Sequence, residues 1–421
     1  MLLSTLLLAS GPAWAWGHHY LVTDRALDHA SVDYADEAVV VEPIEALLLD
    51  LGPELTALFD GYYDWLEARG RGRFNRVPYD DSGTREAFLR AARLNPDEAS
   101  LPLVYRVPPG GASLGTPMDC VEASPYLAQV EPPLRCDIEH LEPGQSVPAR
   151  AVLTTYADEP DWGLDHHLWG YTEFGYGEQP YGKPEGESSK APFHMQFAHE
   201  NFLVRAAAPE ALDGMVVERM ELFFRLSRLS FDAGHDYWGY RFAAWAIHYA
   251  QDIAQPYHAK AVPSATVFYY LRYAISPNKD RLKATASQLS GNRHFLYEDF
   301  VAYGLQSSYE GSDPLTDALA EFLGSGDALW AGVSDMDGLA AAVMDASAHH
   351  ARRIDKTIVK AFGAKYTEDP DYDVETAPDY SVTAAIEGMD EAKGELLLSE
   401  TAEDFHRAGC ATRTIIDLAR K

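Results

Sequence analysis

A chain of 421 residues that is 47% hydrophobic can bury a large core, and its length suits one big domain or two ordinary ones. Its formal net charge of −31 repels polyanions at long range, which excludes a broad nucleic-acid surface but leaves room for a small, locally positive site built by metal ions. Beyond the first fifteen residues no apolar run reaches the roughly 18–20 uncharged residues of a membrane-spanning helix, so the mature chain is expected to be soluble.

The opening segment, MLLSTLLLASGPAWA, has a short apolar core followed by Ala13-Trp14-Ala15, the small-x-small pattern of a signal-peptidase site. It reads as a signal peptide over residues 1–15, which predicts a secreted or periplasmic protein whose mature chain starts at Trp16. No Lys or Arg precedes Arg25, so a basic n-region is missing, and a buried apolar N-terminal segment is the alternative. From Trp16 to about Leu94, HYLVTDRALDHA and PIEALLLDLGPELTALFDGYYDWLEARG repeat apolar residues at three and four and read as helices.

From Asn95 to about Pro160 the periodicity stops, and VPPGG, EPPLRC and LEPGQSVP mark an irregular or small β-containing insertion. Cys120 and Cys136 lie in it and Cys410 far beyond; in an oxidising compartment Cys120–Cys136 is the expected disulfide, three thiols being the alternative. Closing so short a loop contributes about 3 kcal/mol in the chain-entropy model. Helical periodicity returns at about Ala191 and runs to about Phe362. The acidic stretch TEDPDYDVETAPDY then reads as a linker to a final amphipathic helix. The expected architecture is an all-α bundle over residues 16–362 with one insertion, followed over 363–421 by a linker and a helical appendage.

Chemistry enters with RFAAWAIHYAQDIAQPYHA. Phe242, Ala246, Ile247, Ala250 and Ile253 serve packing, while Arg241, Trp245, His248, Asp252 and Gln255 form a second stripe at steps of three and four. The spacing of His248 and Asp252 puts their Cβ atoms about 5–6 Å apart on one helical face, where imidazole and carboxylate can share a metal ion. His258 follows the break at Pro256, and GNRHFLYEDFV repeats the pattern with His294 and Glu298. Two such helices suggest a polynuclear site with inward-facing ligands. The HExxH of zinc peptidases is missing, and HEN at His199–Asn201 does not complete one.

HYAQDIAQPYHA, HFLYEDFV and an N-terminal WGHHYLVTDRAL together resemble the zinc-dependent phospholipase C and single-strand nuclease superfamily, and in motif the phospholipase branch most. The resemblance implies an all-helical fold with three zinc ions in a cleft. It assigns the α-amine and carbonyl of Trp16, with His19, to one zinc. His248 and a bridging Asp252 go to a neighbour, and His258, His294 and Glu298 to the remaining ion. An Asp and a His are still owed; Asp161 and His194 are the candidates, with Asp158 and Asp165 competing for the first and His166, His167 and His199 for the second. His18 competes with His19, and His235, His349 and His350 are expected at the surface or behind the ligands. The matched islands are a minor part of the chain. The gap from His258 to His294 is longer than in compact phospholipases, the insertion is additional, and no C-terminal β-sandwich is evident.

Such a site implies an exported zinc phosphodiesterase in which Asp161 orients or deprotonates the attacking water. The shared ligands do not separate phospholipid from nucleic acid. Trp162 beside Asp161 suits a choline headgroup or a base, and VPSATVFYYLRYAI, with Phe268, Tyr269, Tyr270, Leu271 and Tyr273, suits transient contact with a lipid surface or plain core packing. Even six positive charges from zinc leave a sum of about −25, which disfavours a long polyanion. Phospholipase C-type cleavage is therefore favoured, with a single-strand nuclease and a non-catalytic zinc-binding protein as alternatives.

Overall fold

The segment Asp236–Ala254 is largely apolar apart from one polar stripe, and every residue from Tyr237 to Ala254 is buried, so it is the central helix around which others pack. The structure is a computed structural model and describes residues 18–71, 76–97, 99–127, 136–166, 168–169, 176–177, 191–200, 205, 209–264, 269, 272–273, 275–310, 314–324, 329–330 and 332–421. Residues 1–15, expected to be a signal peptide, and Trp16, His167, Phe268, Tyr270 and Leu271 lie outside the described residues.

In chain order the elements are α1 (His19–Ala26), β1 (Ala38–Val40), α2 (Ile44–Asp50), α3 (Gly52–Ala68), α4 (Arg85–Ala91), β2 (Val104–Arg106), β3 (Thr116–Met118), α5 (Cys120–Ala123), β4 (Ile138–His140), β5 (Ser146–Pro148) and α6 (Ala149–Tyr156). They continue with α7 (Ala191–His194), α8 (Val216–Ala233), α9 (Asp236–Ala254), α10 (Pro256–Ala259), α11 (Lys279–Glu310), α12 (Pro314–Gly324), α13 (Met336–Phe362), α14 (Ala364–Thr367), α15 (Val382–Glu387) and α16 (Glu391–Ala419). The fold is thus predominantly helical, as expected. The strands pair antiparallel in two small sheets, β1 with β5 and β2-β4-β3, with β1 against α9 and β2 and β5 against α6.

α9 packs most extensively on α8, then on α16, α6 and α13. The close approach of α8 depends on Gly239, where a Cβ would come within 2.6 Å of the Phe231 ring, and Ser227 Oγ donates to the Gly239 carbonyl at 2.7 Å. Gly234, at φ 83°, closes α8 in the left-handed conformation that residues with a Cβ avoid.

Two expectations change. The 95–160 stretch does hold β2 to β5 and the Cys120–Cys136 disulfide, but its last part is α6, a buried helix against α1 and α9. α16 is no appendage: Leu397, Phe405, Ala408, Ala411, Ile415 and Ile416 are fully buried between α9, α12 and α13. The acidic linker before it is docked along α11, with Asn292 Nδ2 donating to the Tyr372 carbonyl at 2.6 Å and Tyr380 OH to Asp299 at 2.7 Å.

Candidate metal centre

The stripe on α9 divides into two parts. Its N-terminal part is an anchor: Arg241 Nε and Trp245 Nε1 each reach Glu159 Oε2 at 2.8 Å. Glu159 begins the 3-10 turn Glu159–Trp162 that follows α6, so this contact fixes Asp161 beside the C-terminal part of the stripe, His248 and Asp252. α9 then ends at Gln255, which takes the extended conformation demanded by Pro256; its side chain accepts from Tyr257 N and caps the single turn α10. That break swings His258 back towards Asp252, with His258 Nδ1 3.6 Å from Asp252 Oδ1.

Three groups of ligand atoms result, each with its members within 4.8 Å of one another: His19 with His248 and Asp252; Asp161 with His194 and His248; and His258 with His294 and Glu298. All are buried. Asp252 links the groups, since its Oδ2 lies 2.8 Å from His194 Nδ1 and 3.4 Å from His248 Nε2, while its Oδ1 faces His19 Nε2 at 3.7 Å. The bridging role that the resemblance implies for Asp252 is the one its two oxygens have the geometry for.

Hydrogen bonds behind the ligands fix which ring nitrogen carries a lone pair. His248 Nδ1 is 2.7 Å from the Ala157 carbonyl and His258 Nδ1 is 2.8 Å from the His194 carbonyl. A carbonyl only accepts, so in the neutral rings Nδ1 holds the proton and Nε2 points a lone pair inward. His19 Nδ1 faces Gln251 Oε1 at 2.9 Å, and the amide nitrogen of Gln251 donates to Thr23 and Thr412 at 2.9 and 3.0 Å, which orients the third ring the same way. His194 presents Nδ1 to the site and turns Nε2 to Asp165 Oδ2 at 3.4 Å. Carbonyl, carboxylate and amide partners of this kind orient metal-ligating histidines.

The inward atoms are crowded, so a proton or a metal ion has to join each close pair. His258 Nε2 and His294 Nε2 are 3.0 Å apart, and His194 Nδ1 and His248 Nε2 are also 3.0 Å apart. Burial holds the His258 and His294 rings down at about 4 and about 3, so both are neutral near pH 7, and burial raises the nearby Glu298 carboxyl to about 7. At His194 burial opposes the charged ring, but Asp252, Asp165 and Asp161 outweigh it and hold the pKa up at about 9. His19 Nε2 and Asp252 Oδ1, both fully buried, have no hydrogen-bond partner. Orphaned buried lone pairs on imidazole and carboxylate fit a divalent metal that takes N and O ligands.

Competition among neighbouring residues is decided by their partners. Asp158 accepts from Tyr20 N at 3.0 Å and pairs with Arg106, and Asp165 pairs with Arg219 and accepts from Tyr249 OH, which leaves Asp161 in the metal grouping. His166 packs its ring on Tyr126 at 4.0 Å, and His199 lies 36% exposed near Asp345. His18 is buried but stands in none of the three groups. Trp162, expected as a substrate contact, is 5% exposed and packs towards Tyr156.

His235 binds Glu42 and His349 is at the surface. A fourth grouping, His350 with Glu400 and Glu403, is already bridged by Arg353, a cation that holds both carboxylates. A cavity of about 390 Å³ lined by Asp24, Arg25, Tyr105, Arg150, Thr154 and Tyr309 includes no ligand. Gln251 escaped the sequence reading, although its signal was available, a polar side chain three residues past His248 on a largely apolar helix; Asp165, weighed there as a metal ligand, stands behind His194 instead. Compared with family models, with curated proteins and with solved structures, the chain matches none of them.

Proposed function

We propose that this chain is an exported zinc-dependent phosphodiester hydrolase with phospholipase C-type specificity. The observation that carries the metal reading is the inward convergence of ring nitrogens whose outer nitrogens are tied to the carbonyls of Ala157 and His194 and to Gln251. His258, His294 and Glu298 would hold one zinc. His194, His248, Asp161 and Asp252 Oδ2 would hold a second, and His19 and Asp252 Oδ1, with the mature amino terminus at Trp16, a third.

When bound, zinc supplies concentrated positive charge at a phosphodiester and makes water acidic enough to attack at neutral pH. Asp161 Oδ1 lies 4.0 Å from both His194 Nδ1 and His248 Nε2, at the edge of the cluster, and in this reading it orients the attacking water and takes its proton. Closed structural zinc sites use four protein ligands, whereas among the described residues the His258 group offers three, which favours catalysis over a purely structural role.

Two observations support lipid over nucleic acid: the strongly negative chain, and Ile275, 84% exposed at the end of the apolar segment that follows α10. Among the described residues no helix is long and apolar enough to cross a membrane, so the proposed contact is transient and superficial. The test is a side-by-side assay of the zinc-loaded mature protein on phosphatidylcholine vesicles and on single-stranded DNA and RNA. Release of phosphocholine is expected; release of 5′-nucleotides without phosphocholine assigns the nuclease instead, and inactivity on both with zinc bound assigns a non-catalytic zinc protein.

A further inference from the structure

The histidines of the third group come from two unrelated segments, the single turn α10 and the long α11, yet their Nε2 atoms meet at 3.0 Å. The residue before each ligand goes to the same carboxylate. Tyr257, which precedes His258, donates its hydroxyl to Asp355 Oδ1 at 2.9 Å. Arg293, which precedes His294, places Nη1 3.2 Å from both Asp355 oxygens and donates Nε to the Thr367 carbonyl at 2.9 Å. The Tyr257 ring also stacks on the His294 ring, with centroids 5.5 Å apart and planes 14° from parallel. Asp355 is 2% exposed and sits on α13, which supplies no ligand to the three groups.

From this we infer that Asp355 is a positioning residue for one metal position: it ties α10 to α11 so that His258 and His294 keep the separation a shared cation needs. A buried carboxylate has to be paired, and here one donor comes from each ligand-bearing segment, so α11 cannot shift without stranding a charge and α10 cannot shift without losing a buried hydrogen bond. Ligand distances are tolerated only within about 0.2 Å, and a one-turn helix after a proline break has too few backbone bonds of its own to hold that register.

The inference rests on the metal-centre reading, and zinc titration separates the two. The comparison is wild type, Asp355→Ala, Tyr257→Phe, His294→Ala and the double variant Asp355→Ala/His294→Ala, with zinc per chain measured and each position followed by the absorption of the cobalt-substituted protein. Tyr257→Phe removes only a hydroxyl and keeps the ring, so it serves if Asp355→Ala does not fold. Asp355→Ala and Tyr257→Phe are expected to weaken one metal equivalent about 10–100-fold and leave the others unchanged, the range typical of groups that orient ligands. The double variant is expected to bind no worse than His294→Ala. Wild-type affinity at every position in a folded variant, or weakening spread over all positions, overturns the positioning role while the centre stands. A wild-type protein that takes up no metal overturns both.

Discussion

His19 Nε2 and Asp252 Oδ1 face each other across 3.7 Å with both side chains fully buried, and neither atom has a hydrogen-bond partner. Gln251 keeps the His19 proton on the far nitrogen, so the pair presents lone pair to lone pair. The other oxygen of Asp252 serves His194 and His248. One carboxylate therefore stands between two groups of ligand atoms that could each hold a metal ion, and its loss should be felt at both.

Asp252→Asn is expected to lose two zinc equivalents, because both of its oxygens face ligand histidines, while Glu298→Gln, confined to the third group, loses one. Elemental analysis of the purified variants checks this. Equal losses in the two variants would remove the bridging role.

Metal uptake at His194 should release a proton. Its pKa of about 9, where burial is outweighed by Asp252, Asp165 and Asp161, leaves the ring charged at pH 7 in the metal-free protein. Raised above the ordinary value of about 6.5, this group stabilises the metal-free fold fully below pH 6.5 and loses that contribution as pH rises through 9. Zinc needs the lone pair at Nδ1, so binding should tighten up to about tenfold per pH unit below 9. Calorimetry at pH 7 in two buffers of different ionisation enthalpy is expected to report about one proton released from this position; none would contradict the assignment.

Arg219→Met should destabilise the fold by about 3–5 kcal/mol, because it strands the buried carboxylate of Asp165. Arg219 also holds the Ala92 and Arg93 carbonyls at 2.9 and 2.8 Å. Adding Asp165→Asn removes the stranded charge and should restore part of the loss. Urea denaturation of the single and double variants provides the comparison, and additive losses would argue against coupling.

A chain ended before Glu391 should not fold cooperatively. α16 fills the space beside α9, Thr412 accepts from the Gln251 amide that orients His19, and Arg413 donates to the Ala26 carbonyl at 2.9 Å. Circular dichroism of the truncated protein is expected to show no sharp thermal transition; a native-like melt would return this helix to the status of an appendage.

The sequence by itself determined what depends on local helix geometry. The i, i+4 spacing of His248 with Asp252 and of His294 with Glu298, the break at Pro256 and the amphipathic pattern of the last helix are consequences of 3.6 residues per turn and of proline stereochemistry, and each is present in the fold. Selection within a crowded stretch is a different matter. Asp158, Asp161 and Asp165 lie within eight residues of one another, and only tertiary partners distinguish them: Arg106 and Tyr20 N occupy the first, Arg219 and Tyr249 the last. His194 likewise prevails over His199 because the latter ends near the surface beside Asp345. The docking of α16, the burial of Trp162 and the convergence of Tyr257 and Arg293 on Asp355 join segments far apart in the chain. No local periodicity encodes such contacts; a buried charge finds its partner only once the packing of the helices has brought the two together.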